Sequence, residues 1–524
     1  MIKKVISYKL QVISFLGFLF LIYNSSLITS HYCYAQQTDK AVEFILDASS
    51  TTQGLPGIFS VNLNLDAGCA TLERIEKDLG FNGVFRLKWD FWQIGQLEKD
   101  KEKQKEFLEQ CKTIIKKISA AKGKIIISFI NTPPGMGRAL DKRSAPEDIA
   151  KWRELVKETI RDLSCENKYN IWYEVWDNPV QEESFLGTQK DYLNLYKAAA
   201  RAILELEKQY SINIPLGAPA VKNWYDNFGG NNPLTPERSL IYDMMRFCSQ
   251  NNLPLDFISW QASSMQADQE NQVVAYNRKF IPLVKEWLTY FGFKPQEVAL
   301  VIDVDNGEDI ASFIPARMKN MQLAGAGDAV FHLGDPCQKQ SYQALRYIKL
   351  LGQSWYPDFG ANNAFIDGLA TKKGDDLIFL FYSYIDPYLL RSKIDNAYFQ
   401  FNEKEQAMLL EIIKSNRLKD ILNKASQPQE LGESEKLKKF FDNLADSYYQ
   451  AKEARLKESS VVLKIKNIKG RFKYSRYILG ESLSRNNELL PEKEEKKVVA
   501  ADFVDTIELK PYSVVMIVLH KISD

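Results

Sequence analysis

The sequence predicts a (β/α)8 barrel followed by a β-sandwich that carries a helical insertion. Three observations predict it. From Gly57 to about Gly352, short apolar runs alternate eight times with amphipathic stretches, the signature of β/α units around a parallel sheet. The loop after the first run, Asn64 to Gly68, lacks the Gly-rich turn that a dinucleotide fold requires, and eight units in about 300 residues suit a closed barrel. Beyond Gly352 the pattern changes to β-rich runs separated by Gly and Pro.

In chain order, residues 1–35 read as a secretory leader. Lys3, Lys4 and Lys9 precede an apolar stretch from Leu10 to Tyr23, and Cys33, Tyr34 and Ala35 close it before Gln36. An uncleaved anchor is the rival, but Asn24, Ser25 and Ser26 interrupt the run short of a comfortable span. A lipid anchor on Cys33 is disfavoured by Tyr32, where a small residue is needed. The expected location is therefore secreted or periplasmic. Residues 36–56 form an N-terminal segment available to pair with the sandwich, and 57–355 hold the barrel.

The eight barrel strands are expected at 58–63, 83–88, 124–130, 170–176, 213–217, 255–260, 298–303 and 328–333. Between them, Leu72, Ile75 and Leu79 have helical spacing before Gly80, as do Phe107, Cys111, Ile114, Ile115 and Ile118. Pro146 suits a first helical turn ahead of Trp152, Val156 and Ile160. The sandwich, 356–524, is expected to use runs at 377–384, 461–467, 471–479 and 514–520. Residues 402–458, rich in charge with Leu409, Ile412, Leu437, Phe441 and Leu444 at helical spacing, read as an inserted helical pair.

Composition narrows the function. Lys+Arg is 68 against Asp+Glu 67, with 45% hydrophobic residues, so neither disorder nor a polycation for nucleic acid describes the chain. Only 3 His occur, and His31 lies in the leader, which excludes a three-histidine metal centre. Cys69, Cys111, Cys165, Cys248 and Cys337 are scattered without Cys-x-x-Cys spacing, against a disulfide scaffold or zinc cluster. No cofactor and no metal are called for. Asp303, Asp305, Glu308 and Asp309 surround Gly307, but the spacing departs from a calcium loop and reads as a solvated acidic turn.

The segment that carries chemistry runs from Ile171 to Pro179, Ile-Trp-Tyr-Glu-Val-Trp-Asp-Asn-Pro. Strand alternation puts Trp172, Glu174, Trp176 and Asn178 on one face, with Glu174 a buried carboxylate that must be paired or protonated. Its bland role is an ion pair with Arg86 or Lys88 inside the barrel. Trp89, Trp92, Trp176, Trp224 and Trp260 stand at strand ends, where indoles can stack on sugar rings or simply pack.

In these stretches the sequence resembles glycoside hydrolase family 39, retaining β-glycosidases such as β-xylosidase, within the clan of (β/α)8 glycosidases. The family writes the fourth strand as Phe-Glu-Val-Trp-Asn-Glu-Pro. Leu79 to Arg86, Pro146 to Trp152, Asp191 to Ala199, Leu216 to Ala220 and Asp256 to Ser259 look like its neighbouring elements, and a terminal β-sandwich is also expected of it. Arg86, Glu174, Trp176 and Pro179 agree with its pattern, and the resemblance implies an oligosaccharide or polysaccharide partner bound with Arg86, Trp89, Glu174, Trp176, Trp224, Trp260 and Gln261.

Five positions depart from that family. The acid/base glutamate falls on Asn178, and an amide can neither protonate a leaving group nor deprotonate water. The preceding Asn of the family is Asp177, the nucleophile glutamate falls on the shorter Asp303, the sixth-strand His is Gln261 and the Trp near strand eight is Phe331. Three readings stay open: a glycan-binding relative with hydrolysis impaired or lost, an active glycosidase using Asp177 and Asp303 as its carboxyl pair, and a non-catalytic scaffold for structure or protein interaction. No nucleic acid is expected, nor any membrane once the leader is removed.

Overall fold

The structure is a computed structural model that describes residues 41–522, except 61–62, 66–71, 223, 225, 230–235, 263–276, 306–309, 325, 333–339, 362, 364, 386–392, 395–396, 398–399, 415–421, 423–433 and 480–489. The expected leader and the acidic turn around Gly307 lie outside the described residues.

Two short strands, β1 (Val42–Asp47) and β2 (Gln53–Gly54), precede the barrel. The barrel strands are β3 (Leu63–Leu65), β4 (Val84–Asp90), β5 (Lys124–Ile130), β6 (Ile171–Val175), β7 (Leu216–Val221), β8 (Phe257–Ala262), β9 (Ala299–Asp305) and β10 (Asp328–His332). They close in the order β10-β3-β4-β5-β6-β7-β8-β9, each pairing parallel with its neighbours. The fold class is the one the sequence predicts.

Two strands are displaced from their expected positions. Residues 58–63 were expected as the first strand, but Gly57–Phe59 form a 3-10 turn whose Ile58 and Phe59 are buried, and the strand begins at Leu63. A buried helical turn has the same apolar density as a buried strand, so periodicity does not separate them. The fifth strand starts at Leu216 and runs to Val221 through Pro219, a residue that argues against strand when only the sequence is read.

Around the barrel lie α1 (Leu72–Asp78), α2 (Phe91–Gln96), α3 (Lys101–Ala120), α4 (Ile149–Ile160), α5 (Gln189–Tyr210), α6 (Leu240–Asn251), α7 (Asn277–Tyr290), α8 (Phe313–Ala324) and α9 (Gln340–Leu350). Side chains of Asp90, Asp100, Asp148, Thr188 and Ser239 cap α2 to α6, satisfying amides that have no partner within the helix. Strand parity divides the side chains into two layers. On β4, Phe85, Leu87 and Trp89 join the core shared with the helices, while Val84 points inward with Ile126, Phe257, Val301 and Val330 to fill the barrel floor. There the Lys124 ammonium pairs with Asp328 at 2.7 Å and sits 4.3 Å from the centre of the Trp172 ring. Apart from that pair the floor is apolar and filled, and further polar side chains stand in the layers above it.

The sandwich comprises β11 (Ser354–Trp355), β12 (Ile366–Lys373), β13 (Asp376–Ser383), β14 (Ser459–Lys466), β15 (Gly470–Leu479), β16 (Lys493–Val499), β17 (Phe503–Leu509) and β18 (Val514–Ile522). One sheet has the order β1-β14-β17 and the other β16-β15-β18-β13-β12-β11-β2, so both N-terminal strands enter it. Phe44, Phe381, Leu463 and Ile517 are among the side chains the two sheets bury between them. Lys319 of α8 ties barrel to sandwich, its ammonium donating to the Phe359 and Gly368 carbonyls at 3.0 and 2.6 Å and to Asp367 at 2.8 Å. Ala397–Glu453 cluster apart from this body, with two helices, α10 (Glu403–Lys414) and α11 (Glu435–Ala454). Within that unit Ser434 donates to Glu405, and the Phe401 and Phe440 rings meet edge to face.

Candidate functional site

Above the apolar floor, β4, β5, β6 and β8 send Arg86, Ser128, Glu174 and Ser259 into the barrel. Glu174 accepts hydrogen bonds from the Arg86 guanidinium, from Ser128 at 2.5 Å and from Ser259. Arg86 also donates through Nε to Ser128 at 3.0 Å. With exposures of 2% for Arg86 and 1% for Glu174, this ion pair is tolerable only because further donors satisfy both carboxylate oxygens. Glu174 therefore has the partner that its bland reading required, and Arg86 and Glu174 form a buried support rather than a surface open to a ligand.

Asp177 stands one layer higher. Its Oδ1 accepts from Gln261 at 2.9 Å and from Arg86 at 3.4 Å, and its Oδ2 faces the Lys88 ammonium at 3.2 Å. Burial pushes the Asp177 carboxyl up, but the charges of Arg86 and Lys88, with hydrogen bonds from Lys88 and Gln261, outweigh it and hold the group below its ordinary value. The side chain of Asp177 is 14% exposed and that of Lys88 33%, so this pair is the part of the network nearest solvent.

Asn178 takes a left-handed backbone, φ 54°, which asparagine tolerates better than most residues. Its amide donates to the Ala220 carbonyl at 3.0 Å and its Oδ1 accepts from the Lys222 amide at 3.2 Å, so it joins the turn after β6 to the end of β7. Asp303 lies on β9 in register with Gln261 and Val330, while its side chain lies outside the described residues.

The expected aromatic lining is corrected. Trp176 has φ 64°, which breaks the alternation that put it beside Glu174; its indole donates to the Ser184 carbonyl at 3.0 Å and packs against Phe185. On β4 the inward places belong to Arg86 and Lys88, and on β8 to Ser259 and Gln261, so Trp89 and Trp260 face outward into the core with the helices. Trp224 is buried in the same core. These four tryptophans pack the protein and do not line an open sugar groove. Sequence reading passed over Ser128 and Ser259. Ser128, the one hydroxyl among the apolar residues that follow Lys124 in β5 and opposite Glu174 in register, was the available signal.

Residues 141–362 match the family described as glycosyl hydrolases family 39. The chain is related to that family. The family 39 match contains Glu174, Asp177, Asn178, Gln261 and Asp303, whereas Arg86 and Lys88 precede it. A beta-xylosidase of Caldicellulosiruptor saccharolyticus is 30% identical over 119 residues, 22% of this chain and 21% of that protein. A beta-xylosidase of Geobacillus stearothermophilus is 26% identical over 136 residues, 25% and 24% of the two chains. The matched stretch thus spans less than a quarter of either relative. The fold is similar over far more of the chain. A GH39 enzyme from Xanthomonas axonopodis pv. citri superimposes with a TM-score of 0.62 at 14% identity, covering 93% of this chain and 98% of that one. A monomeric beta-xylosidase from Caulobacter crescentus CB15 gives 0.60 at 14% identity over 92% and 100%.

Proposed function

We propose that this family 39 relative is an exported protein that binds an oligosaccharide or polysaccharide at the barrel mouth, with O-glycosyl hydrolysis impaired or lost. One observation carries the reading: the family's acid/base position holds the Asn178 amide, and the adjacent carboxylate, Asp177, is held as an anion by Arg86, Lys88 and Gln261. A retaining glycosidase places an acid/base and a nucleophile about 5–5.5 Å apart, and an inverting one about 6.5–9.5 Å, with the acid protonated before bond cleavage. A carboxyl held below its ordinary value lacks that proton at neutral pH. The same argument weighs against an active Asp177/Asp303 pair. Export rests on the leader pattern of residues 1–35.

A carbohydrate as ligand draws support from the names of the matched relatives, both beta-xylosidases. The test is calorimetric titration of the purified protein with xylo- and gluco-oligosaccharides. Saturable binding by the wild type, weakened in Asp177→Asn, is the expected result. Absence of binding across the panel would overturn the reading.

A further inference from the structure

The connection from β5 to α4 doubles back on itself as a hairpin. The Glu147 amide donates to the Met136 carbonyl at 2.9 Å, the Arg138 amide to Ala145 at 3.0 Å and the Ser144 amide to Asp141 at 2.9 Å. Its return limb is laced to the segment after β6, where the Leu186 amide donates to the Arg143 carbonyl at 2.8 Å and the Ala145 amide to that of Leu186 at 3.3 Å. Arg143 holds Asp141 through two nitrogens at 2.9 and 2.6 Å and donates to the Glu182 carbonyl at 2.9 Å, while Arg138 pairs with Asp191 at 2.7 Å. The conformation of the tip is therefore fixed in advance of any contact.

Leu140 stands at that tip, 95% exposed, the most exposed large apolar side chain among the described residues. A lone surface leucine is ordinary, but this one is presented on a fastened hairpin. The ion pairs neutralise Arg138 and Arg143, so the exposed Lys142 gives the tip its net positive charge. At the base of the hairpin lies a depression of about 440 Å³, lined by Met136 and by Ala150, Lys151, Glu154, Leu155 and Glu158 of α4. Residues 151, 154, 155 and 158 form one stripe of that helix, whereas Arg153 and Lys157, which pair with Glu205 of α5, belong to the neighbouring one. The depression is thus apolar at Met136 and Leu155 and edged by two glutamates, whose contacts with Arg153 and Arg161 are exposed pairs that hold little. Four positions along the chain, about 14 Å at most, separate Met136 from Leu140. Leu140 is too exposed to fill the depression of its own chain.

We propose that this face joins two copies of the chain across a two-fold axis, with Leu140 of each seated between Met136 and Leu155 of the other and Lys142 set against Glu154 and Glu158. Knob and depression share one surface, so a two-fold axis makes the same contact twice and closes the assembly at a dimer. An apolar anchor ringed by complementary charge gives both affinity and register. The inference is independent of what the barrel binds.

Sedimentation velocity of the full chain from about 1 to about 200 μM should show a reversible monomer–dimer equilibrium. Leu140→Asp should raise the dimer dissociation constant at least about tenfold with an unchanged thermal midpoint, since that side chain is exposed in the single copy. Lys142→Glu and Glu158→Lys should each weaken association alone. An equimolar mixture of the two should recover it, because each mixed pair sets opposite charges against one another at both contacts. A chain that sediments as a monomer throughout that range, or a dimer unaffected by Leu140→Asp, would overturn the proposal. Failure of the mixture to recover association would overturn the pairing of Lys142 with Glu158 across the axis.

Discussion

Arg86, Ser128 and Ser259 converge on the deeply placed carboxylate of Glu174 and supply hydrogen bonds to both of its oxygens. Removing the charge strands the guanidinium, so Glu174→Gln should destabilise the fold by about 3–5 kcal/mol in denaturant titrations. Asp177 makes a different prediction. Its folded value lies below the ordinary 3.8, so the group stabilises the native state fully above that value and loses the contribution as pH falls through the lowered folded value. Thermal unfolding followed from about pH 7 down to about pH 3 should show the wild type losing more stability than Asp177→Asn, because the variant has no such carboxylate to protonate. Equal losses in the two proteins would remove the electrostatic role assigned to Asp177. At this scale the sequence was legible where alternation holds: Arg86, Glu174 and Gln261 face inward as period-two reading requires. It was not legible at Trp176 and Asn178, because a left-handed residue reverses the direction of the chain and leaves no mark in an apolar/polar pattern.

Elements show the same division. The 3.6-residue periodicity of Trp152, Val156 and Ile160 marks α4 correctly, but Pro146, expected in its first turn, bridges to Gly137 ahead of the Asp148 cap, because a proline suits a loop before a helix as well as its first turn. Strand β16, Lys-Glu-Glu-Lys-Lys-Val-Val, leaves no such mark: it is an edge strand whose side chains are mostly exposed, and charge there guards against edge-to-edge pairing instead of marking a loop. Strand β7 owes its close packing to Gly217, where an added Cβ would lie 2.4 Å from the Phe257 ring. Gly217→Ala should therefore cost about 1–3 kcal/mol, and adding Phe257→Leu should recover part of that loss in chemical denaturation. A Gly217→Ala protein as stable as the wild type would mean that the barrel floor has room that its packing does not show.

At the scale of the whole molecule, barrel and sandwich share a tie at Lys319, whose ammonium serves two carbonyls and the Asp367 carboxylate in a buried setting. Lys319→Met leaves those acceptors without their donor and should lower stability by about 3 kcal/mol in denaturant titration, far beyond the effect of an exposed lysine such as Lys151. No periodicity announces such a tie, because its partners are 40 to 49 residues away along the chain. The barrel's existence, by contrast, follows from eight apolar runs, and the resemblance to family 39 follows from a short polar motif on one of them. In the proposed function, the departures at Asn178, Asp177 and Asp303 separate binding from turnover. The most direct measurement is the hydrolysis of aryl β-xylosides by the full chain, with Asp177→Asn and Asp303→Asn beside it and xylo-oligosaccharide binding recorded on the same preparation. Binding without turnover above that of the two variants is the result predicted here, whereas efficient turnover abolished by either substitution would contradict it.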